Sequence, residues 1–293
     1  MEGSTQQTML FAPTTEQRAE LLNHQGPIAL AQFIAWQNPQ AMDRFVLQWR
    51  DAVTEVHGSC ACRSTIDLSL IGPPTAFTDY LIDVFPSSHA ACAAYDAVAT
   101  ARKAALSDLL VLVLRSEDAA LLRLVALASK VMHRVAGTPR QKFADPISSG
   151  AALDPDRDPT YESFQQMLAL PQDVPITMLN LNRFYPQAQY PASFTGKSAV
   201  SGSTAYQRYS RSVLPHLLKR GSYPIWIGHI LGVLVGERDH PLAQPWDDFI
   251  VNTYPSRLAL RDMIADASYR RGLVHRDAGL AQALVLQGEP RPA

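Results

Sequence analysis

The stretch WDDFIVNTYPSRLA, Trp246 to Ala259, has a close echo in FTDYLIDVFPSSHA, Phe77 to Ala90, 169 residues earlier. Asp79 aligns with Asp248, Asp83 with Asn252, and Phe85-Pro86-Ser87 with Tyr254-Pro255-Ser256. Each phrase alternates apolar and polar residues, as a strand does, and then meets Pro-Ser, a strand stop followed by a helix N-cap. A phrase repeated at a fixed separation calls for a search for a repeated unit.

Working outward, PIALAQFIAW (Pro27 to Trp36) aligns with PITMLNLNRF (Pro175 to Phe184). A short helix signal precedes each strand: a capping-box spacing from Thr14 to Gln17 in one, and Asp158 as N-cap with Pro159 at N1 in the other. Amphipathic helices follow. MDRFVLQWRDAVTEV brings Phe45, Trp49, Val53 and Val56 to one side, and STAYQRYSRSVLPHLLKRG ends at Gly221. The strands CACRSTIDLSLIG and PIWIGHILGVLVG come next, then the two opening phrases, and each copy closes on an apolar run, LLVLVL or ALVL. The expected fold is α+β: two ferredoxin-like βαββαβ repeats, residues 1–115 and 159–293, joined by a helical and then Pro/Gly-rich connector at 116–158. The second copy carries an insertion, YPQAQYPASFTGKSAVSG.

Composition narrows the function classes. The chain has 293 residues, 47% apolar and 18% charged, with a formal net charge of −1. That balance gives no field to recruit nucleic acid or an anionic membrane. The most apolar stretch, Leu109 to Val131, is broken by Arg115, Glu117 and Asp118, so no membrane span is expected. The N-terminal residues have no cationic and apolar leader pattern, and three cysteines do not make a disulfide framework, so a cytoplasmic setting is expected. Cys60 and Cys62 sit at i and i+2, one strand face, without further ligands for a metal. Phosphate loops, nucleophile elbows and H-E-x-x-H spacings are absent from the sequence.

Strand alternation divides the candidate residues by face. In the opening phrases Phe249 and Val251, with Tyr80 and Ile82, form an apolar face expected to lie under the helices. Asp248, Asn252 and Tyr254, with Asp79 and Asp83, form a polar one. Gln32, Asn180 and Asn182 on the first strands, and Arg63, Asp67 and His229 on the second, are assigned to the same polar face. His229 aligns with Thr65 of the other copy. Pointed inward, these side chains line a pocket between the two sheets. Buried without partners, each would cost about 1–3 kcal/mol.

The stretches ITMLNLNRF, WDDFIVNTYPSR and YRRGLVHRDAGL resemble the DUF1330 family of the dimeric α+β barrel superfamily, over residues 159–288 and, through the repeat, 14–115. The resemblance implies two sheets closing one barrel, either within the chain as a monomeric pseudo-dimer or in a homodimer.

It also implies a small-molecule enzyme of the cyclase, isomerase or monooxygenase type, of the kind found in secondary metabolism, working by acid/base chemistry without a cofactor. His229 would then act as general base, oriented by Asp248 or Asp83, with Tyr254, Asn180 and Asn252 holding an oxyanion. Asn182, Arg63, Asp83, Gln32 and Tyr206 complete the substrate-binding set, and each has a purely structural counterpart role as a satisfied polar or packed group. The superfamily's haem enzymes, the chlorite dismutase and dye-decolourising peroxidase groups, supply the alternative, with His229 or His275 as axial ligand. A non-catalytic binding or stress-response module is the third expectation.

Overall fold

The computed structural model describes residues 11–116, 119–136 and 154–292. The first half runs α1 (Thr15–Leu22), β1 (Ile28–Trp36), α2 (Pro39–Glu55), β2 (Ser59–Thr65), β3 (Leu68–Ile71), β4 (Asp79–Phe85), α3 (Ser88–Ala97), α4 (Ala99–Ala105) and β5 (Leu106–Ser116). A connecting helix α5 (Ala119–Ala136) follows; the Pro/Gly-rich part of the expected connector falls mostly outside the described residues. The second half repeats the order with α6 (Tyr161–Ala169), β6 (Ile176–Phe184), α7 (Gly202–Lys219), β7 (Tyr223–Val235), β8 (Asp248–Tyr254), α8 (Arg257–Ala265), α9 (Ala267–Gly279) and β9 (Leu280–Gly288).

The local signals act as expected at most element ends. Thr14 and Gln17 form the reciprocal capping box of α1. Ser87 and Ser256 accept from Ala90 and Ala259 and start α3 and α8 right after strands β4 and β8. Gly221, at φ +76°, ends α7 in the left-handed region where a side chain would be strained. The start of α6 lies two residues beyond the expected place: Thr160, not Asp158, is its N-cap. Asp158 instead accepts from Arg276, at 2.9 Å.

All nine strands hydrogen-bond in the order β2-β4-β1-β5-β7-β8-β6-β9-β3. β2 and β3 are two stretches of one bent strand, so the ends of this order are neighbours and the sheet closes into an eight-position antiparallel barrel. β2 pairs with β4 of its own half, while β3 pairs with β9 of the other. β7 behaves likewise, its first residues on β8 and its last on β5. At each seam the backbones cross closely beside a glycine. A Cβ on Gly288 would lie 1.8 Å from the Thr65 carbonyl oxygen, and one on Gly228 would lie 2.3 Å from that of Arg115.

The barrel interior is apolar and filled. Ala29, Ala31, Phe33, Tyr80, Ile82, Leu112, Leu179, Leu181, Trp226, Phe249 and Val251 pack there as one cluster. Its hydroxyls satisfy one another: Tyr80 donates to Thr177 at 2.9 Å, and Thr177 meets Ser64 at 2.6 Å. This reverses the expected assignment of faces. Phe249, Val251, Tyr80 and Ile82 point inward, and the polar face carrying Gln32, Arg63, Asp83, Asn180, Asn182, His229, Asp248, Asn252 and Tyr254 turns outward beneath the helices. The pocket expected between the two sheets is occupied by side chains. Cys60 and Cys62 also part company. A bulge between them leaves Cys60 exposed and sends Cys62 into the interior.

Phe249 is fully buried, its ring 6.5 Å from Phe33 across the barrel. Phe249→Ala should therefore cost about 3–5 kcal/mol of stability, read as a lower urea midpoint at unchanged slope. A cost below about 1 kcal/mol, the range of substitutions away from packed features, would mean that the barrel is open there.

Candidate active site under the first helical layer

With the polar face turned outward, its members in the first half come together under α2. Arg63 of β2, Leu81 of β4 and Gln32 of β1 form one row across three strands, since Arg63 pairs with Leu81 and Leu81 with Gln32. Asp79 and Asp83 flank that row on β4. Each carboxyl is held by an indole: Trp36 donates to Asp79 and Trp49 to Asp83, both at 2.7 Å. Trp49 sits in the middle of the apolar stripe of α2, so its N–H needs an acceptor on the sheet below, and Asp83 supplies it.

Beside this row a groove of about 340 Å³ opens between α2 and β2. Val46, Leu47, Val53 and Leu81 give it apolar walls, Cys60 and Arg63 line it along β2, and Asp83 lies at its floor, 2% exposed. The volume suits a small organic molecule. A larger open groove of about 730 Å³ runs between α2 and α4. Its charged side chains Arg44, Asp51 and Glu55 are exposed, so it holds no desolvated acid or base.

Burial pushes the Asp83 carboxyl up to about 7, against smaller opposing effects of the Trp49 bond, the Cys60 thiol and the Arg63 charge. Burial of its sulfur, and then the Asp83 carboxyl, push the Cys60 thiol up to about 12, although the residue as a whole is exposed. That thiol is a poor nucleophile. Arg63 is lowered by its own burial, with Asp79 acting the other way. Its Nε is buried without a hydrogen-bond partner, as are both amide atoms of Gln32.

The remaining expected residues gather separately, in the second half, beneath α7. Asn182 donates to the Tyr206 hydroxyl at 3.1 Å, and Tyr209 meets Tyr269 at 3.1 Å. Tyr254 packs in the same layer, and burial raises its hydroxyl well beyond the ordinary range. Asn180 donates to the Met178 carbonyl. His229 is half-exposed, with Nδ1 2.6 Å from the Asp247 carbonyl oxygen and 3.8 Å from the Asp248 carboxylate. The ten expected residues therefore do not form one site. Gln32, Arg63 and Asp83 belong to one helical layer, and Asn180, Asn182, Tyr206, His229, Asp248, Asn252 and Tyr254 to the other.

The two layers differ where chemistry would need them to. Matching register places Pro224 where the first half has Cys60, Ile227 where it has Arg63, and Asn252 where it has Asp83. The second half also covers this region with α5, whose Ser129 donates to the Ser222 carbonyl beside the start of β7. Trp36, Trp49 and Arg291 were not among the expected residues. The two tryptophans had a signal, a polar-tipped ring on a buried face; Arg291 had none.

Two βαββαβ halves closing one barrel, with helices outside, define the dimeric α+β barrel fold. No family model matches the chain, and no curated protein does. Among solved structures, the RPA0582 protein of Rhodopseudomonas palustris, described as of unknown function, is 33% identical; the match covers 46% of this chain and 97% of that one, with a TM-score of 0.41. At that identity over nearly all of that protein, the chain shares its sequence family. A putative monooxygenase from Lactobacillus acidophilus is 8% identical, covering 91% of this chain and 94% of that one at TM-score 0.43. A chlorite dismutase mutant from Candidatus Nitrospira defluvii is 12% identical, covering 94% and 95% at 0.40. The last two carry no information about chemistry here.

The two histidines expected as haem ligands do not line either groove described above. His275 has Nδ1 2.8 Å from the Tyr190 hydroxyl and its ring edge-on to Tyr190 and Phe194. His229 lies outside both grooves. Among the described residues no three His, Cys, Asp or Glu side chains are grouped to hold a metal, and no helix is long and apolar enough to cross a membrane.

Asp83 makes a pH signature. An unfolded chain ionises it near the ordinary value of about 4, the folded chain only near 7. Between those limits the unfolded state loses the proton first, so stability falls as pH rises and levels off above 7. Asp83→Asn, which still accepts from Trp49, should remove that slope. Thermal melts of both proteins across the acidic to neutral range check it.

Proposed function

We propose that the protein is a small-molecule enzyme of the cofactor-independent acid/base type, working in the groove of the first half. The observation that carries this reading is Asp83: a carboxyl at the floor of an open groove, bonded to an indole and not to a cation. A group of this kind exchanges protons at neutral pH, where an ordinary aspartate is fully ionised. Asp83 takes the proton from an acidic C–H or O–H of the bound substrate and returns it at a second position. The Trp49 indole holds the carboxyl in place during both transfers. Cyclases and isomerases need no more than this.

A second reading places the acid/base pair at His229 and Asp248 in the other half. What favours it is their 3.8 Å separation and the Nδ1 contact to Asp247, which orients the ring. Asn180, Asn252 and Tyr254 would then bind the oxyanion, with Asn182 and Tyr206 ordering the wall. We further read the two halves as a tandem repeat divided near residues 115 and 158, with the catalytic groove retained in one copy only.

Proton exchange separates these readings. Enolisable oxo acids of a size to fill the groove are incubated in D2O with the protein, and deuterium uptake at carbon is followed by NMR. The wild type should accelerate uptake for at least one compound. Asp83→Asn should reduce the rate by about 100-fold or more, the usual scale for a general acid or base, while His229→Ala leaves it intact. The reverse pattern assigns the chemistry to the second half, and no acceleration by the wild type leaves a binding module.

A further inference from the structure

The last described residues of the chain return to the first half. Glu289 accepts from the Thr65 N–H and donates its own N–H to the Thr65 hydroxyl; the Arg291 N–H donates to the Arg63 carbonyl at 2.9 Å. This tail runs along β2 and sets Pro292 in the groove wall. It also brings the Arg291 guanidinium to Asp79, with Nε 3.4 Å from Oδ1.

Asp79 has its other oxygen on the Trp36 indole and Thr78 hydroxyl, and its first faces Arg291. Asp83 is held by Trp49 and keeps its proton up to near neutrality. Neither carboxyl forms an ion pair with Arg63. Among the described residues no carboxylate oxygen lies within 4 Å of Arg63, and its Nε is buried and unbonded. A guanidinium is always charged, and its fork of N–H groups matches a carboxylate. Among the described residues the groove wall thus carries Arg63 with no carboxylate in contact, acted on only from a distance by Asp79 and Asp43; Arg50 lines the same groove, beside apolar Leu47, Val53 and Leu81.

We infer that the groove binds a monoanionic small molecule, a carboxylate on an apolar body, through Arg63, and that Arg291 of the other half keeps Arg63 available by occupying Asp79. The inference rests on the groove being the functional site and names the substrate class for it. Arg291 is a positioning residue here, since it touches Asp79 and not the ligand. Ile227 stands at the position of Arg63 in the second half, so that half has no equivalent.

The test uses benzoate and its neutral isostere benzamide, titrated into the full chain while the Trp49 indole resonance is followed by NMR. The wild type should bind benzoate about 10-fold or more tightly than benzamide, the worth of a charge-assisted hydrogen bond. Arg63→Gln should abolish the preference by weakening benzoate about 10-fold or more beyond any effect on benzamide. Arg291→Gln, which removes no groove residue, should narrow the preference without changing benzamide binding; a merely structural tail would weaken both probes equally. Equal affinity for the two probes, a preference that survives Arg63→Gln, or no response to either probe overturns the inference. Retained benzoate selectivity in a protein that fails to exchange protons would defeat the acid/base reading and leave this one standing.

Discussion

Everything in this molecule depends on two strands that change sheets midway. β2 leaves β4 and continues as β3 along β9, and β7 leaves β8 and continues along β5. These crossings turn two open four-stranded sheets into one barrel without edges. Arg257, fully buried at the start of α8, ties the first crossing: it donates to Asp67 between β2 and β3, to Gln287 on β9 and to the Pro171 carbonyl. Removing it would leave the exposed Asp67 without its cation and, at greater cost, the buried Gln287 carbonyl without its donor.

Closure also explains why the polar residues lie where they do. A closed barrel of this size must be filled by side chains, and the interior of this one takes Phe, Leu, Val and Ala from alternate positions of its strands. The other positions face the helices, which carry rings with polar tips. Trp49 reaches Asp83, and Tyr206 reaches Asn182. The helical layer can satisfy buried polar groups in a way that an interdigitated barrel interior cannot. In the first half it also stops short of β2, and that gap is the groove.

The fold was legible because its signals are local and repeated. The Pro-Ser junctions at Ser87 and Ser256, the capping box at Thr14 and the glycine at 221 each fix an element end, and the repeated phrase fixes their order. The match of His229 with Thr65 holds in the observed register. The direction of the faces was not legible. Alternation in Asp248-Phe249-Ile250-Val251-Asn252 shows that two faces differ, and both faces of this sheet are buried, so polarity alone does not say which is inside. The clue lay on the helices, where Trp49 stands among Phe45 and Val53 with an N–H that needs an acceptor. The bulge that separates Cys60 from Cys62 and the return of Arg291 to Asp79 depend on tertiary contacts and leave no mark in spacing.

The assigned chemistry depends on one carboxyl that is buried, unpaired by a cation and open to a groove. Carbon-13 NMR of the aspartate carboxyls, with Asp83 assigned by comparison to Asp83→Asn, measures its ionisation directly. An inflection near pH 7 is expected. An inflection near 4, the value of an ordinary exposed aspartate, would show that Asp83 is a plain hydrogen-bond acceptor for Trp49 and contradict its assignment as the acid/base group.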